Sequence, residues 1–377
     1  MGEKKPIKVA FVMGKMNSGG KKTLAMQYFL NFNPAEVEVH FICDADSNAI
    51  PEDEIRRHGG FVHMVPPYQN IVKNMVDMRE LFARERFDVL HAYNSTMNLF
   101  PLRAAKQAGI SVRISESLSM AHEREPKTYL KHILRKFAKR YATHYVSCGE
   151  DCGRWQFGDA LFDAGYVDVF KTAIDSAKNS FDEGLRARTR AELGAADDEL
   201  LVGFVGRFVV QKNPMFMLET AKELVDLNSK VRLLLIGDGE LRDEMLAYVD
   251  ANGFSDHVLY LGRREDIVGF YQAMDCLLLP SLYEGLPVVG LEAQCAGLDV
   301  FFSTEVTPEA AFCELGHFLS LADGAKKWAE KISVVLENHR NRTSRSKDCV
   351  NAGFDSRGEA KRLAVYYANA LARQGSC

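Results

Sequence analysis

The chain has 377 residues, 47% of them hydrophobic, with a net charge of −4 and a pI near 6.2. That length sets a prior of two domains or slightly more, each able to bury a core, and the mild acidity argues against general nucleic-acid binding. No run approaches the roughly 18 apolar residues that cross a bilayer, and the eight cysteines lack a zinc spacing, which reads as buried thiols in a reduced cytoplasmic compartment.

The first residues, MGEKKPIKVAFVMG, read as a strand and not as a signal peptide, and Gly2 lacks the Ser/Thr at position six that lipidation needs. Residues 7–13 predict a buried strand. The loop Gly14-Lys15-Met16-Asn17-Ser18-Gly19-Gly20 follows, then a helix from about Lys22 to Phe32. Glycines let backbone approach a ligand closely and a helix start can meet an anion. The spacing does not fit the dinucleotide fingerprint, and an ordinary tight turn is an equal reading. Residues 37–43 predict a second strand, ending in the turn Cys43-Asp44-Ala45-Asp46.

Strand and helix patterns then alternate: strand 61–65 with helix 72–86, strand 88–93 with helix 99–108, strand 111–115 with a basic helix at about 128–141, and strand 144–148 with a short helix. Repeated units of this kind imply a parallel sheet covered on both faces. Basic residues dominate from Arg124 to Arg140. There Leu130, Ile133, Leu134, Phe137 and Tyr141 share one helix face, and Lys127, Lys131, Arg135, Lys136, Lys139 and Arg140 lie mostly elsewhere. Two readings stand: a core helix with a solvated back, or a surface that meets anionic lipid or a diphosphate-linked acceptor.

A polar stretch after Asp175 leads into a charged helix, which places a domain boundary there. A second alternating series starts at Leu200, with strands at 200–206, 231–236, 257–261, 276–280 and 298–303. Late helices follow at 326–338 and 356–373, separated by a polar link. The expected fold is α/β: two Rossmann-like doubly wound parallel-sheet domains, 1–175 and 176–355, facing across a cleft. The last helix, 356–377, is expected to pack back on the first domain.

The chemistry centres on Cys276 to Gly297. The apolar run Cys276-Leu277-Leu278-Leu279 stops at Pro280, as a buried parallel strand would. A loop reaches Leu286, and Pro287 suits a helix start. Glu284 therefore sits in a loop at the carboxyl end of a strand, and Glu292 about two turns into the next helix. Ligands of open α/β sheets bind at that end of the strands. Two carboxylates there could hold two polyols, one on each side of a phosphate bound at a helix start. Earlier, Arg207 and Lys212 occupy the loop after strand 200–206. Cations beside a departing diphosphate would balance its charge as the bond breaks.

Ser281-Leu282-Tyr283-Glu284-Gly285-Leu286-Pro287, with Gly290-Leu291-Glu292-Ala293, closely resembles the Glu–seven residues–Glu signature of retaining GT-B glycosyltransferases. With Gly206-Arg207, Gln211-Lys212-Asn213-Pro214 and Gly237-Asp238-Gly239, the chain resembles family-4-type members found in exopolysaccharide and capsule gene sets. By that resemblance Arg207 and Lys212 hold a donor diphosphate, Glu284 sits by the transferred sugar and Glu292 by the ribose. Gly285 and Leu286 contact sugar or phosphate through backbone N–H groups, Gly19 and Gly20 meet the diphosphate, and Arg264 lies near the base. The resemblance implies transfer of a hexose or N-acetylhexosamine, with retention, from a UDP-linked donor to a saccharide or an undecaprenyl-type lipid-linked acceptor. It implies neither cofactor nor metal, and a cytoplasmic protein at the inner face of the membrane.

Two features depart from the family. Relatives often carry Ala-Glu after the Gly-Gly pair, where this chain has Lys21-Lys22; and they commonly show His-Ser-His after strand 111–115, where it has Glu116-Ser117-Leu118. Glu116 acting in a changed way, His91 and His122 are alternatives to the missing histidine, and no catalytic base is assigned. Asp44-Ala45-Asp46 literally matches the metal–nucleotide motif of the GT-A fold, and a turn explains it equally well. A sugar-nucleotide epimerase on the same fold, or a degenerate nucleotide-sugar-binding subunit, are the competing functions.

Overall fold

The computed structural model describes residues 5–17, 19–118, 128–264, 266–338 and 342–374. The chain divides into two units. The first runs to Ala173 and resumes at Ser356; the second is Ile174–Asp355.

The first unit holds seven strands: β1 (Ile7–Gly14), β2 (Val37–Asp44), β3 (Phe61–Val65), β4 (Val89–Ala92), β5 (Val112–Ser117), β6 (His144–Ser147) and β7 (Val167–Val169). All pair in parallel, in the order β3-β2-β1-β4-β5-β6-β7. Strand order reverses between β1 and β4, which makes that junction the switch point where loops diverge and leave a crevice. The near-continuous apolar composition of β1 follows from burial on both faces, and Val9 to Met13 are fully or almost fully buried.

The helix Ser356–Gln374 packs on this unit, with Leu363, Tyr367 and Ala370 joining the core of β1 and β2. The Tyr367 hydroxyl lies 2.7 Å from His91 Nδ1. On the other side of that imidazole, Nε2 lies 2.9 Å from Glu116 Oε2, and both side chains are wholly buried.

The second unit holds β8 (Leu200–Val205), β9 (Val231–Ile236), β10 (Val258–Gly262), β11 (Cys276–Leu279), β12 (Asp299–Ser303) and β13 (Gly316–Leu319), in the order β10-β9-β8-β11-β12-β13, again all parallel. Its switch point lies between β8 and β11. Leu277, Leu278 and Leu279 are buried between two apolar layers, each stabilising the unit by about 1.5–3 kcal/mol. Arg342 fixes the return of the chain over this unit. Its guanidinium donates to the carbonyls of Tyr271, Gln272, Met274 and Ala296, and burial pushes it down to about 9.

The structure adds elements that hydrophobic patterning did not predict: β7, β13 and the short helices Glu52–Arg57, Asp159–Asp163 and Ser346–Asn351. All are too short for a period to show. β5 continues through Ser117, so Glu116 is a strand residue and not part of the loop beyond it. The helix Thr128–Ala138 is not the simple core helix that its apolar face suggested. Tyr129, Ile133 and Phe137 are 78%, 40% and 46% exposed.

Candidate active site

Arg207 and Lys212 leave the carboxyl end of β8 on a loop that packing holds tightly. Phe208 is buried; its N–H donates to the Asp238 carbonyl at 3.0 Å and its carbonyl accepts from Leu241 N–H at 3.0 Å. Gly237, at φ +142, lets the β9 loop lie directly against Gly206, where an added Cβ would stand 1.8 Å from the Gly206 carbonyl oxygen. Arg207 is thereby left on the solvent side, exposed and without an ion-pair partner among the described residues.

Beyond it, a 3-10 turn, Val210–Lys212, ends at Asn213 in the left-handed region (φ 51), and the helix Pro214–Leu227 begins at the proline. The turn aims Lys212 at the loop that follows β11. Lys212 Nζ forms an ion pair with the Glu284 carboxylate, their side chains only 12% and 15% exposed. Backbone contacts hold the loops in register: Leu282 N–H donates to the Gln211 carbonyl at 2.8 Å and Gln211 Nε2 to the Tyr283 carbonyl at 3.1 Å.

The second oxygen of Glu284 accepts from Ser281 Oγ at 2.9 Å. Ser281 is held in turn by Ser303 Oγ, which donates to its carbonyl. Glu284 also forms a parallel bridge with Val306. So Lys212 and Glu284 come together at the β8–β11 switch point, with Arg207 exposed earlier in the same loop after β8. Their charges and hydrogen bonds suit an anion with attached hydroxyls.

Glu292 lies in the helix Val288–Cys295, for which Pro287 serves as the capping residue. Its Oε2 accepts from the Tyr271 hydroxyl at 2.9 Å. Burial pushes the carboxyl up to about 7, against the opposing pull of Tyr271 and Lys178. Gly285 is exposed in the Glu284 loop, and Leu286 is half-buried against the core beneath it. Arg264 is exposed past the end of the edge strand β10, separated from β8 by β9. The strand order does not bring it to the Lys212–Glu284 pair. Gly19 and Gly20 are exposed at the start of the helix Gly20–Asn31 in the first unit, Gly19 with φ +141. Ser281, Ser303 and Tyr271 escaped sequence reading; only the serine three residues before Glu284 carried a local signal.

The alternatives to the family's histidine come out differently. Glu116 is wholly buried against His91, so neither offers a proton acceptor to a solvent-borne substrate. His122 lies outside the described residues. Asp44 and Asp46 serve the fold: Asp44 Oδ2 accepts from Tyr68 N–H at 3.2 Å, and Asp46 pairs with Lys15 at 2.7 Å. Among the described residues no group of three or more His, Cys, Asp or Glu side chains could hold a metal ion.

Residues 186–353 match the family model of glycosyl transferases group 1. Over 372 residues the chain is 29% identical to the glycosyltransferase EpsF of Bacillus subtilis (strain 168), covering 96% of each chain. It is 25% identical over 310 residues to the UDP-Gal:alpha-D-GlcNAc-diphosphoundecaprenol alpha-1,3-galactosyltransferase of Escherichia coli, covering 79% of each. Among solved structures, Anabaena Alr3699/HepE in complex with UDP superposes with a TM-score of 0.76 at 17% identity, over 96% of this chain and 100% of that one. Sucrose-phosphate synthase from Thermosynechococcus elongatus gives 0.74 at 17% identity, over 97% and 99%. The chain thus has two parallel α/β sheets of the GT-B kind, and its residues 186–353, which carry the charged switch point, match glycosyl transferases group 1.

Proposed function

We propose that the protein transfers a hexose or N-acetylhexosamine from a UDP-linked donor, with retention of configuration, to a saccharide or lipid-linked saccharide in polysaccharide synthesis. The observation that carries this is the Lys212–Glu284 pair at the β8–β11 switch point, on a loop that also exposes Arg207. Arg207 and Lys212 take the diphosphate; Glu284, steadied by Ser281, accepts from hydroxyls of the transferred sugar; Glu292 accepts from the ribose. Gly285 and Leu286 add backbone donors. Leaving-group charge is balanced by side chains and helix starts, with no metal cofactor. The Escherichia coli relative, named for a UDP-Gal donor and a diphosphoundecaprenol acceptor, supports the donor and acceptor classes.

The helix Thr128–Ala138 supports association with an anionic membrane. Exposed Tyr129, Ile133 and Phe137 follow one another at helical spacing beside Arg135, Lys136, Lys139 and Arg140. Among the described residues no helix is long and apolar enough to cross a bilayer.

The test is a panel of nucleotide sugars read first by thermal shift and then by transfer, with chelator present. A bound donor at 100 times its dissociation constant stabilises the protein by about 2.7 kcal/mol. UDP-sugars should raise the melting temperature, and transfer to a diphosphate-linked saccharide should survive chelation with the anomeric configuration kept. Isomerised donor without acceptor would mean an epimerase; binding without turnover would mean a nucleotide-sugar-binding subunit.

Glu292 adds a pH signature. Ionised, its carboxylate only accepts hydrogen bonds; protonated, one oxygen becomes a donor and the site loses acceptor capacity. With the folded carboxyl at about 7, donor affinity should rise as pH increases through about 7 and level off above it. The stability effect has the opposite sign. The raised folded value favours the folded state fully below the ordinary carboxyl range, and this contribution is lost as pH rises through about 7. Glu292→Gln should flatten the binding profile and weaken donor binding about tenfold or more at pH 8. A pH-independent dissociation constant in the unmodified protein would remove Glu292 from the ribose.

A further inference from the structure

Glu292 has two carboxyl oxygens, and the fold occupies one of them. Oε2 accepts from the Tyr271 hydroxyl at 2.9 Å. Among the described residues Oε1 has no hydrogen-bond partner, and it is not sealed from solvent. Tyr271 is wholly buried in the helix Val268–Ala273, its ring part of the core shared with β11 and β12. Burial pushes its hydroxyl well above the ordinary range, so the group keeps its proton and donates.

The two helices that carry this pair are tied together. Arg342 donates from Nη2 to the Tyr271 carbonyl at 2.6 Å and from Nη1 to the Gln272 and Met274 carbonyls at 2.9 Å each. From Nε it donates at 2.7 Å to the carbonyl of Ala296, the residue that ends the helix Val288–Cys295. Arg186 adds donations to the carbonyls of Gln272, Ala273 and Met274. Gly290 lets the Glu292 helix lie close on β12, since an added Cβ would stand 2.7 Å from the Phe302 ring. One guanidinium therefore spans both helices and fixes where the hydroxyl meets the carboxylate.

We propose that Tyr271 is a positioning residue for the donor: by pinning Oε2 of Glu292, its hydroxyl holds the carboxylate in one orientation and presents Oε1 to the ribose hydroxyls. This rests on the reading of Glu292 as the ribose acceptor and deepens it. Tyr271 itself, wholly buried, acts only through Glu292. A carboxylate free to rotate must be ordered when the nucleotide binds; one already pinned has lost that freedom beforehand.

The same hydroxyl governs when the carboxylate is charged. Burial pushes Glu292 up to about 7, and the Tyr271 hydroxyl and the Lys178 ammonium pull against that rise, because both favour the ionised form. β11, β12 and the helix Ser346–Asn351 also pack on the Glu292 helix, and their ionisable groups, Cys276, Asp299, Lys347, Asp348 and Cys349, exert no such pull. Without the Tyr271 hydroxyl, Glu292 would stay protonated to higher pH, and a protonated carboxyl gives up acceptor capacity.

Tyr271→Phe removes the hydroxyl and keeps the ring. UDP and 2′,3′-dideoxy-UDP are titrated calorimetrically into the full chain across the neutral and mildly alkaline range, and urea unfolding without nucleotide is followed over the same range. The unmodified protein should prefer UDP about tenfold or more well above neutrality, and the preference should fade as pH falls through about 7. In Tyr271→Phe the midpoint of that preference should move up by about one pH unit. The dideoxy analogue should bind as before, which also reports that the site is folded. The stability contributed by a carboxyl raised in the folded state is full below the ordinary carboxyl range and is lost as pH rises. In the variant that loss should run on about one pH unit further.

A hydroxyl with a purely structural role would weaken both nucleotides equally at every pH. That result, or an unchanged midpoint, would overturn the proposal. If the unmodified protein showed no preference for UDP, the ribose reading would fall and the presenting role with it. An upward shift of the unfolding profile would then still show that Tyr271 holds Glu292, which separates the two failures.

Discussion

Lys212→Ala is expected to lower kcat/KM for sugar transfer by about 10²–10³-fold, the loss typical when one preorganised group facing developing charge is removed. The argument is electrostatic. Charge builds on the diphosphate as the glycosidic bond breaks, and the cation contributes more at that moment than when the donor first binds. Most of the loss should therefore fall on kcat and less on KM. Lys212 also neutralises Glu284 in the resting protein, both side chains being largely out of solvent. Removing it leaves Glu284 with Ser281 as its one side-chain hydrogen-bond donor among the described residues. A modest drop in melting temperature should accompany the rate loss.

Lys212→Arg keeps the charge but presents a planar fork in place of a compact ammonium. It should restore stability more fully than rate. Arg207→Ala offers the complementary case. Arg207 is exposed and has no ion-pair partner among the described residues, so its loss should cost rate and donor affinity with little effect on melting. Steady-state kinetics with the true donor and acceptor decide the matter: a Lys212→Ala protein transferring at the unmodified rate would remove the diphosphate role from this loop.

Gly237→Ala should be among the most damaging single substitutions in the second unit, costing about 4 kcal/mol or more. Two effects combine. The backbone at φ +142 is a region that residues with a Cβ rarely enter, worth about 1–3 kcal/mol in strain. The new Cβ would also stand 1.8 Å from the Gly206 carbonyl oxygen, so the two loops must part. Parting them frees Phe208 from its bonds to Asp238 and Leu241 and shifts Arg207.

The variant should therefore unfold at clearly lower denaturant and bind UDP poorly even where it stays folded. Gly253→Ala is the control. Gly253 has φ +67 and open space where its Cβ would go, so it should cost only about 1 kcal/mol. If the two variants unfolded at the same denaturant concentration, the clamp on the Arg207 loop would not matter.

Several parts of this architecture were legible without coordinates. β3, at 61–65, and β9, at 231–236, match their predicted bounds, because each is a compact apolar run between polar turns. The loop after Leu279 was readable because a buried strand, a proline and a helical repeat succeed one another there. Other parts were not. β7 has three residues, of which Val167 alone is buried, and β13 has four with Leu319 alone buried. Edge strands with one buried side chain carry no period to detect. Glu116 looked like a loop acid because charge normally ends a strand. Its burial depends on His91 from β4, backed by Tyr367 from the last helix, partners far away in sequence.

The exposed Ile133 and Phe137 show the converse. Helical spacing marks an apolar face, and it does not say what covers that face.

Local chemistry thus determined the alternation of strands and helices, the place of Glu284 at a strand's carboxyl end, and the cations in the loop after β8, because these depend on neighbours within a few residues. Tertiary structure alone decided the rest. It set the order of strands that puts β8 beside β11, and the pairing of Lys212 with Glu284. It also chose which acids are consumed by the fold. Those outcomes depend on which distant segments share a dry interior, where a charge is stable only if another segment brings its partner.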